Sequence, residues 1–470
     1  MGGLDRGTRL ALGAMAMAVF VIANDITALS VALPDIEAEF DSDVTTVQWV
    51  INAYALVFGV LIVTGGRLAD MFGRRRLFFI GSAIFAGFSV LGGAAQSELW
   101  LILSRALMGI GGAMMWPAVL GMTYDVLPKD KAGLAGGLII GVAGFGNAAG
   151  PLLGGFLAEV LSWRWIMFVN VPVAALACFA TWRAIPASSP AQREPIDYPG
   201  IATISVGLVA LLIALDQVTE WGWSDPRILA LFALCVLLLT SFALVERHAG
   251  PRALIPGDVI ANRGFRAACL ATLFMSAVFF ASLLYLPQFF QKILRYSPLE
   301  AGAGLLPMMA VFALTSFVAG ALYSRLGARP IVSAGALCLA VGAFLVSLID
   351  RDSGFGSLVP AMVVMGIGVG LFYSSVTTAA VTALDPSRSS LAGGLVYMFQ
   401  VAGGAVGLGL TTTVFITAYE DHLQAHGAGA VRDAFASGMQ WSFRLVAALA
   451  LVGFLVSVLF VGRADPRPRS

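Results

Sequence analysis

Residues 10–33 read LALGAMAMAVFVIANDITALSVAL, and in this run one side chain, Asp25, is charged. About twenty apolar residues in helical conformation cross the hydrocarbon of a bilayer. The run is long enough to span, and it lacks a clear cleavage site. It therefore reads as a retained membrane helix and not as a removed signal peptide.

The rest of the chain repeats this pattern. Of 470 residues, 59% are hydrophobic and 12% charged, which is about half the charged share of a soluble domain. Further stretches of spanning length lie at 47–67, 77–96, 101–123, 134–158, 164–182, 199–217, 228–246, 265–290, 300–323, 330–349, 357–380, 391–417 and 441–461. Backbone polar groups in lipid must be paired within their own segment, so each stretch is expected to be a helix. The expected fold class is an all-α integral membrane protein with fourteen spans. The net charge of +1 gives no reason to expect nucleic acid as a partner.

Charge placement orients the spans. With the N-terminus in the cytoplasm, the cytoplasmic connections and tail hold 20 of the 28 Lys and Arg residues, the outer ones seven, and Arg105 remains in the membrane. The outer connections carry 15 acids, among them the run PDIEAEFDSD at 34–43. This is the positive-inside bias, and it places both termini in the cytoplasm.

The sequence also echoes itself. RALMGIGGAM at 105–114 resembles MVVMGIGVGL at 362–371, an offset of 257. GGRLADMFGRRR at 65–76 has a weaker counterpart in AGALYSRLGARP at 319–330, offset 254, and GFGNAAGPLLGG at 144–155 faintly echoes MFQVAGGAVGLG at 398–409. Spans 1–6 and 9–14 thus read as two copies of one six-helix unit. The expected organisation is a bundle over 1–186, linkers with inserted spans 7 and 8 over 187–264, and a second bundle over 265–470. Paired repeats with a site between them suit alternating access.

Asp25 lies fifteen residues into its span, about 22 Å from the start at 1.5 Å per residue. An ionised carboxylate facing lipid there is costly, so it should face the protein interior or a wet cavity. Desolvation favours the neutral form of a carboxyl group, the property a proton carrier needs. A structural acid bonded to hydroxyls such as Thr27, or a site for a cationic group, are the competing roles. Arg105 cannot shed its proton, so it must snorkel, pair or line water; helix packing is its plainer role. Its repeat counterpart is Met362.

In the connection between spans two and three, Gly66 and Gly73 permit close approach and a tight turn. Asp70 can cap a helix N-terminus that reaches it in one conformation. Gly66, Asp70, Gly73, Arg74, Arg75 and Asp125 read as a conformational latch, with Asp125 as a partner for Arg74; Arg74, Arg75 and Arg76 also serve as positive-inside anchors. In span five, Gly146, Gly150, Gly154 and Gly155 surround Pro151. Small residues three to four apart let membrane helices touch, and the proline can bend the span. Asn52, Tyr54, Tyr285, Gln288, Tyr373, Tyr397 and Gln400 are candidates for a substrate cavity. Asp216, near the outer end of span seven, is a candidate second acid. Cys178, Cys235, Cys269 and Cys338 are isolated in apolar surroundings, and His248, His422 and His426 lie in polar connections, so neither a metal site nor a cofactor is expected.

Taken together, these motifs resemble the major facilitator superfamily, and within it the fourteen-helix drug:proton antiporters. DITALSVALP, Asp25 to Pro34, is similar to that family's first-helix motif, with Ser30 where asparagine is common. Gly66, Leu68, Asp70, Gly73, Arg74 and Arg75 match the loop motif between helices two and three, with Met71 in place of its usual arginine. Arg105 and Gly109 match the helix-four motif linked to proton transfer. Gly146, Gly150, Pro151, Gly154 and Gly155 match the antiporter motif of helix five, and SWRWIMFVNVP, Ser162 to Pro172, is typical of the family. The resemblance implies export of a small, amphipathic molecule driven by proton inflow, by a monomer in the lipid of the cytoplasmic (inner) membrane. A nutrient symporter or uniporter, and more remotely a non-transporting receptor, are the alternatives. Span thirteen has no obvious acid of the kind some relatives with dicationic substrates carry.

Overall fold

The structure is a computed structural model, and it describes residues 5–42, 44–186 and 196–462. Among the described residues there is no strand, and fourteen helices are long and apolar enough to cross a membrane. The main helix of each span is, in order, α1 (Arg6–Ala28), α2 (Val44–Phe72), α3 (Arg74–Gly93), α4 (Glu98–Val126), α5 (Ala132–Val160), α6 (Asn170–Ala184, within the span Arg164–Ala184) and α7 (Tyr198–Trp221). There follow α8 (Pro226–Ala249), α9 (Arg263–Lys292), α10 (Leu306–Leu326), α11 (Ala328–Val346), α12 (Phe355–Ala383), α13 (Ser389–His426) and α14 (Val431–Phe460).

Polar residues at the boundaries start several helices. Asp5 accepts from the Gly7 amide at 3.0 Å, Asp197 from Gly200 at 2.9 Å and Asn262 from Phe265 at 2.9 Å. Each satisfies an amide that a first turn leaves unpaired. Several boundaries differ from the hydropathy reading: spans 164–182 and 300–323 each open with a separate short helix, Arg164–Phe168 and Pro298–Ala303. After Ala28 the chain makes a 3-10 turn, Leu29–Ala32, and a separate short helix, Leu33–Phe40. α13 runs 38 residues, nine beyond 417, because its polar end continues the helix past the apolar run.

α1–α6 pack among themselves, as do α9–α14, and the two bundles meet along α5–α10 and α2–α13. The echoes found in the sequence fall at equivalent places. A Cβ on Gly111 would lie 2.6 Å from the Gly81 carbonyl oxygen of α3, and one on Gly368 2.7 Å from the Leu339 nitrogen of α11. Both α4 and α12 therefore need glycine where they press on the neighbouring helix of their own bundle. Gly73 and Gly327, 254 residues apart, both turn the chain with positive φ, 98° and 80°, a conformation open to glycine at little cost.

α7 packs on α2 and α13, over one seam between the bundles, and α8 packs chiefly on α7. α8 is almost wholly apolar from Ile228 to Val245 and exposes Val236 and Leu237, as expected of a lipid-facing helix. With an even number of crossings, α1 begins and α14 ends on one face, here called the terminal face.

Candidate functional site

Asp25 sits on the side of α1 that faces into its own bundle. Its carboxylate and the Arg105 guanidinium of α4 form an ion pair at 2.5 Å, with neither side chain exposed. Asn170, at the start of α6, donates to the other carboxylate oxygen at 2.8 Å and reaches Ser89 of α3 at 3.1 Å. Arg105 also donates from Nε to the Val50 carbonyl at 3.0 Å and lies 4.4 Å from the centre of the Tyr54 ring, both on α2. The charged pair ties four helices together, and Asn170 extends the link to α3. Pairing and added hydrogen bonds are what make two buried charges tolerable. Arg105 Nη2, Asn170 Oδ1 and the Tyr54 hydroxyl are buried with no protein hydrogen-bond partner among the described residues. These atoms have hydrogen-bonding capacity in reserve should the charge on the pair change. Thr27 does not bond Asp25; its hydroxyl donates to the Asn147 carbonyl of α5 at 3.1 Å.

On the opposite side of α1, Ala23, Ile26 and Thr27 line a central cavity of about 460 Å³ between the bundles. Such a volume suits a small organic molecule. Tyr373, Tyr397 and Gln400 line it with Trp116, Phe279 and Phe312, so its walls are mainly apolar and aromatic. Trp116 and Tyr397 meet at 5.1 Å and Tyr397 and Phe58 at 5.2 Å, closing the cavity toward the terminal face. Toward the other face the lining continues to Pro34 and Gln291, which are exposed. Pro151 also lines the cavity.

Between the cavity and the terminal face the bundles are locked. A Cβ on Gly133 of α5 would come within 2.3 Å of the Gly320 carbonyl oxygen of α10, and the Tyr124 and Thr378 hydroxyls meet at 3.0 Å. Asp70, at the end of α2, accepts from the Leu391 amide at 2.8 Å and the Ser390 amide at 3.3 Å, in the first turn of α13. A carboxylate at a helix N-terminus meets unpaired amides and the positive end of the dipole. Arg74 bonds Asp70 at 3.0 Å, Asp125 at 2.5 Å and the Pro386 carbonyl at 2.6 Å. Gly66 lies against the same turn, where a Cβ would be 2.6 Å from the Ser390 carbonyl oxygen. Arg75 is not part of this cluster. One residue along a helix is a rotation of about 100°, and Arg75 instead reaches the Trp182 carbonyl at the end of α6, 3.3 Å away. Gly73 makes the turn.

The glycines of α5 form a seam with α1. A Cβ on Gly146 would lie 3.0 Å from Ala23 Cβ, on Gly150 2.0 Å from Thr27 Oγ1, and on Gly154 2.1 Å from the Ala28 carbonyl oxygen. Gly155 belongs to another side of α5, with Leu299 as its nearest neighbour at 3.5 Å.

Four cavity candidates lie elsewhere than the central cavity. Tyr54 is buried beneath Arg105. Tyr285 is buried in the second bundle, where its hydroxyl donates to Thr412 at 3.1 Å and its ring stacks on Phe415. Asn52 and Gln288 line a separate side crevice together with Asp216. Tyrosine and amide side chains in a span equally suit helix-to-helix bonding, and sequence alone does not say which way they point. Sequence reasoning named Asn170 only within a motif. Its signal was a lone amide inside an apolar run, a weaker mark than the charge that singled out Asp25. Trp116, Phe279 and Phe312 gave no signal apart from ordinary core. No group of three or more metal-ligating side chains occurs among the described residues.

The family model described as Major Facilitator Superfamily matches residues 15–408 and, in a second match, 268–470. The chain is 36% identical to the puromycin resistance protein pur8 of Streptomyces alboniger, over 87% of this chain and 82% of that protein. It is 29% identical to the tetracenomycin C resistance and export protein of Streptomyces glaucescens, over 97% and 92%, and 30% identical to the multidrug transporter protein MdtP of Bacillus subtilis, over 87% and 75%. Among solved structures, the human organic anion transporter MFSD10 superposes with a TM-score of 0.67 over 96% of this chain and 100% of that one, at 14% identity, a likeness of fold. With its fourteen spans and its similarity to drug exporters along most of its length, this chain belongs to the Major Facilitator Superfamily.

Proposed function

We propose that this protein is a proton-coupled antiporter that exports small amphipathic molecules across the cytoplasmic membrane by alternating access. The observation that carries the reading is the Asp25–Arg105 pair, sealed inside one bundle while the other side of α1 forms the cavity wall. The positive-inside bias makes the terminal face cytoplasmic, so the conformation described is outward-open and locked inside.

In this reading α1 is the shared part between proton and substrate. Protonation of Asp25 removes the negative half of a buried pair, and Arg105 must then turn to other acceptors. α1 carries Asp25 on one side and cavity residues on the other, so a shift of α1 reaches both. α5, held to α1 by its glycine seam, transmits the movement to the α5–α10 contact. Opening the cytoplasmic face requires Asp70 and Arg74 to release the start of α13. The membrane potential contributes about 2.3 kcal/mol per charge for each 100 mV. The apolar, aromatic cavity suits amphipathic substrates better than sugars or other strongly hydrated ones. Resistance and export by the relatives named above favour the outward direction.

The test is transport of a panel of dyes and antibiotics in proteoliposomes with an imposed pH gradient. The reading requires gradient-driven substrate movement opposite to the proton, lost in Asp25→Asn. Movement with the proton, or transport that ignores the gradient, refutes it.

A further inference from the structure

α7 and α8 lie outside the two repeated bundles, and the structure ties them to the second bundle at both ends. On the face opposite the terminal face, Trp223 in the turn between α7 and α8 donates from its indole nitrogen to the Thr413 hydroxyl of α13 at 2.7 Å. A Cβ on Gly409 of α13 would lie 3.2 Å from the Leu215 side chain of α7, so the same two helices also meet closely nearby.

At the terminal face the tie is the connection 250–262, between α8 and α9. Glu246, in the last turns of α8, accepts from the Leu254 amide at 3.0 Å and the Ile255 amide at 3.1 Å. Leu254, Ile255 and Val259 are buried, so this connection is packed down onto the protein. Its short helix, Gly257–Ala261, carries Asp258, whose carboxylate pairs with Arg388 just before α13. Asn262 donates to the Ala383 carbonyl at the end of α12 at 2.8 Å. α7 packs on α2 as well, where Asn52 donates to Asp216 at 3.4 Å, a longer bond than those to Thr413 and Ala383.

We infer that α7, α8 and the connection 250–262 form one rigid body with the second bundle, so that the α2–α7 contact is the surface that slides when the bundles rock. The two attachments are separated by the 24 residues of α8, about 36 Å at 1.5 Å per residue. Attachments that far apart fix the tilt of the pair as well as its position. The side crevice of about 510 Å³ has walls from α7, α9 and α13 on that body and from α2 on the first bundle, so it changes shape as the bundles rock. The inference rests on the alternating-access reading and adds which of the two moving bodies the inserted pair belongs to.

The experiment is double electron–electron resonance on the full-length protein in lipid nanodiscs, with the four native cysteines exchanged for alanine or serine. Spin labels are placed in pairs at Arg76 of α3, His248 of α8 and Arg329 of α11, all exposed. The bundles are prised apart at the terminal face by Gly133→Trp, because even a Cβ at 133 would lie 2.3 Å from the Gly320 carbonyl oxygen. Gly320→Trp, which wedges the same seam from α10, is the second variant should the first misfold. Relative to the unwedged protein, Arg76–Arg329 and Arg76–His248 should both lengthen by about 5 Å or more, while His248–Arg329 stays within about 2 Å. A changed His248–Arg329 distance overturns the inference, whether the pair then follows the first bundle or moves alone. An unchanged Arg76–Arg329 distance in both variants also overturns it, since there is then no bundle motion for the pair to share. Trp223→Phe combined with Arg388→Gln cuts one tie at each end and should broaden the His248–Arg329 distribution about twofold, as an element does on losing local contacts. An unbroadened distribution would mean that these bonds do not hold the pair, against the inference. Neither gradient nor substrate enters the measurement, so failure of proton coupling in the transport assay leaves this result standing.

Discussion

Replacing Asp25 by asparagine leaves the Arg105 guanidinium charged, fully buried and without its anion. Arginine does not escape by losing a proton. Removing one partner of a buried pair costs about 3–5 kcal/mol, while replacing both by well-packed neutral groups is often nearly neutral. The second bundle indicates the replacement: Met362, the repeat counterpart of Arg105, is fully buried in the corresponding helix. Asp25→Asn and Arg105→Met should therefore each lose about 3–5 kcal/mol, and the double variant only about 1–2 kcal/mol. Unfolding in mixed micelles titrated with a denaturing detergent, followed by tryptophan fluorescence and circular dichroism, measures the three values. All three variants should lose gradient-driven transport, so the double variant separates stability from coupling. If the two single losses simply add in the double variant, the pair is not coupled and the geometry has been misread. If the double variant still exports against a gradient, protons are carried elsewhere.

Asp70→Asn weakens the hold on the first turn of α13 and on Arg74. A charged acceptor bonded to amides is worth about 2 kcal/mol, which shifts the inward-to-outward ratio roughly thirtyfold, read by spin-label distances between the ends of α2 and α13. An unchanged distance distribution would mean that the latch does not set the equilibrium. Gly150→Leu should abolish export or folding because its side chain would enter Thr27, whereas Gly155→Ala, with 3.5 Å of clearance, should transport at near the native rate. Equal behaviour of the two refutes the α1–α5 seam. Asn170→Ala should lower coupled turnover about tenfold, by loss of an oriented hydrogen bond to Asp25, while substrate binding measured without a gradient is retained. Weakened binding with normal turnover would place Asn170 in the substrate site instead.

The sequence carried the fold because lipid imposes a simple rule on it. Apolar length gave each crossing, and Lys and Arg placement gave the expected orientation. The repeat was readable chiefly in 105–114 and 362–371, where close helix contacts keep glycines at fixed places, with Gly73 and Gly327 as a weaker echo. Asp25 and Arg105 stood out because a charge in an apolar run is expensive enough to need a reason. Polar but uncharged residues carried much less information. Tyr54, Tyr285 and Tyr397 all sit in apolar runs, yet one lies beneath a guanidinium, one bonds to a threonine within its own bundle and one lines the cavity.

Sequence by itself therefore determined the helices, their number and the rare charges among them, since those follow from the cost of exposing backbone and charge to hydrocarbon. Only tertiary structure decided which side of α1 holds Asp25, that Arg75 faces away from the latch, and that Asp216 borders a crevice apart from the central cavity. Those outcomes depend on the rotation of each helix against its neighbours. Rotation is set by the packing of many small contacts at once, and no local stretch of residues encodes it.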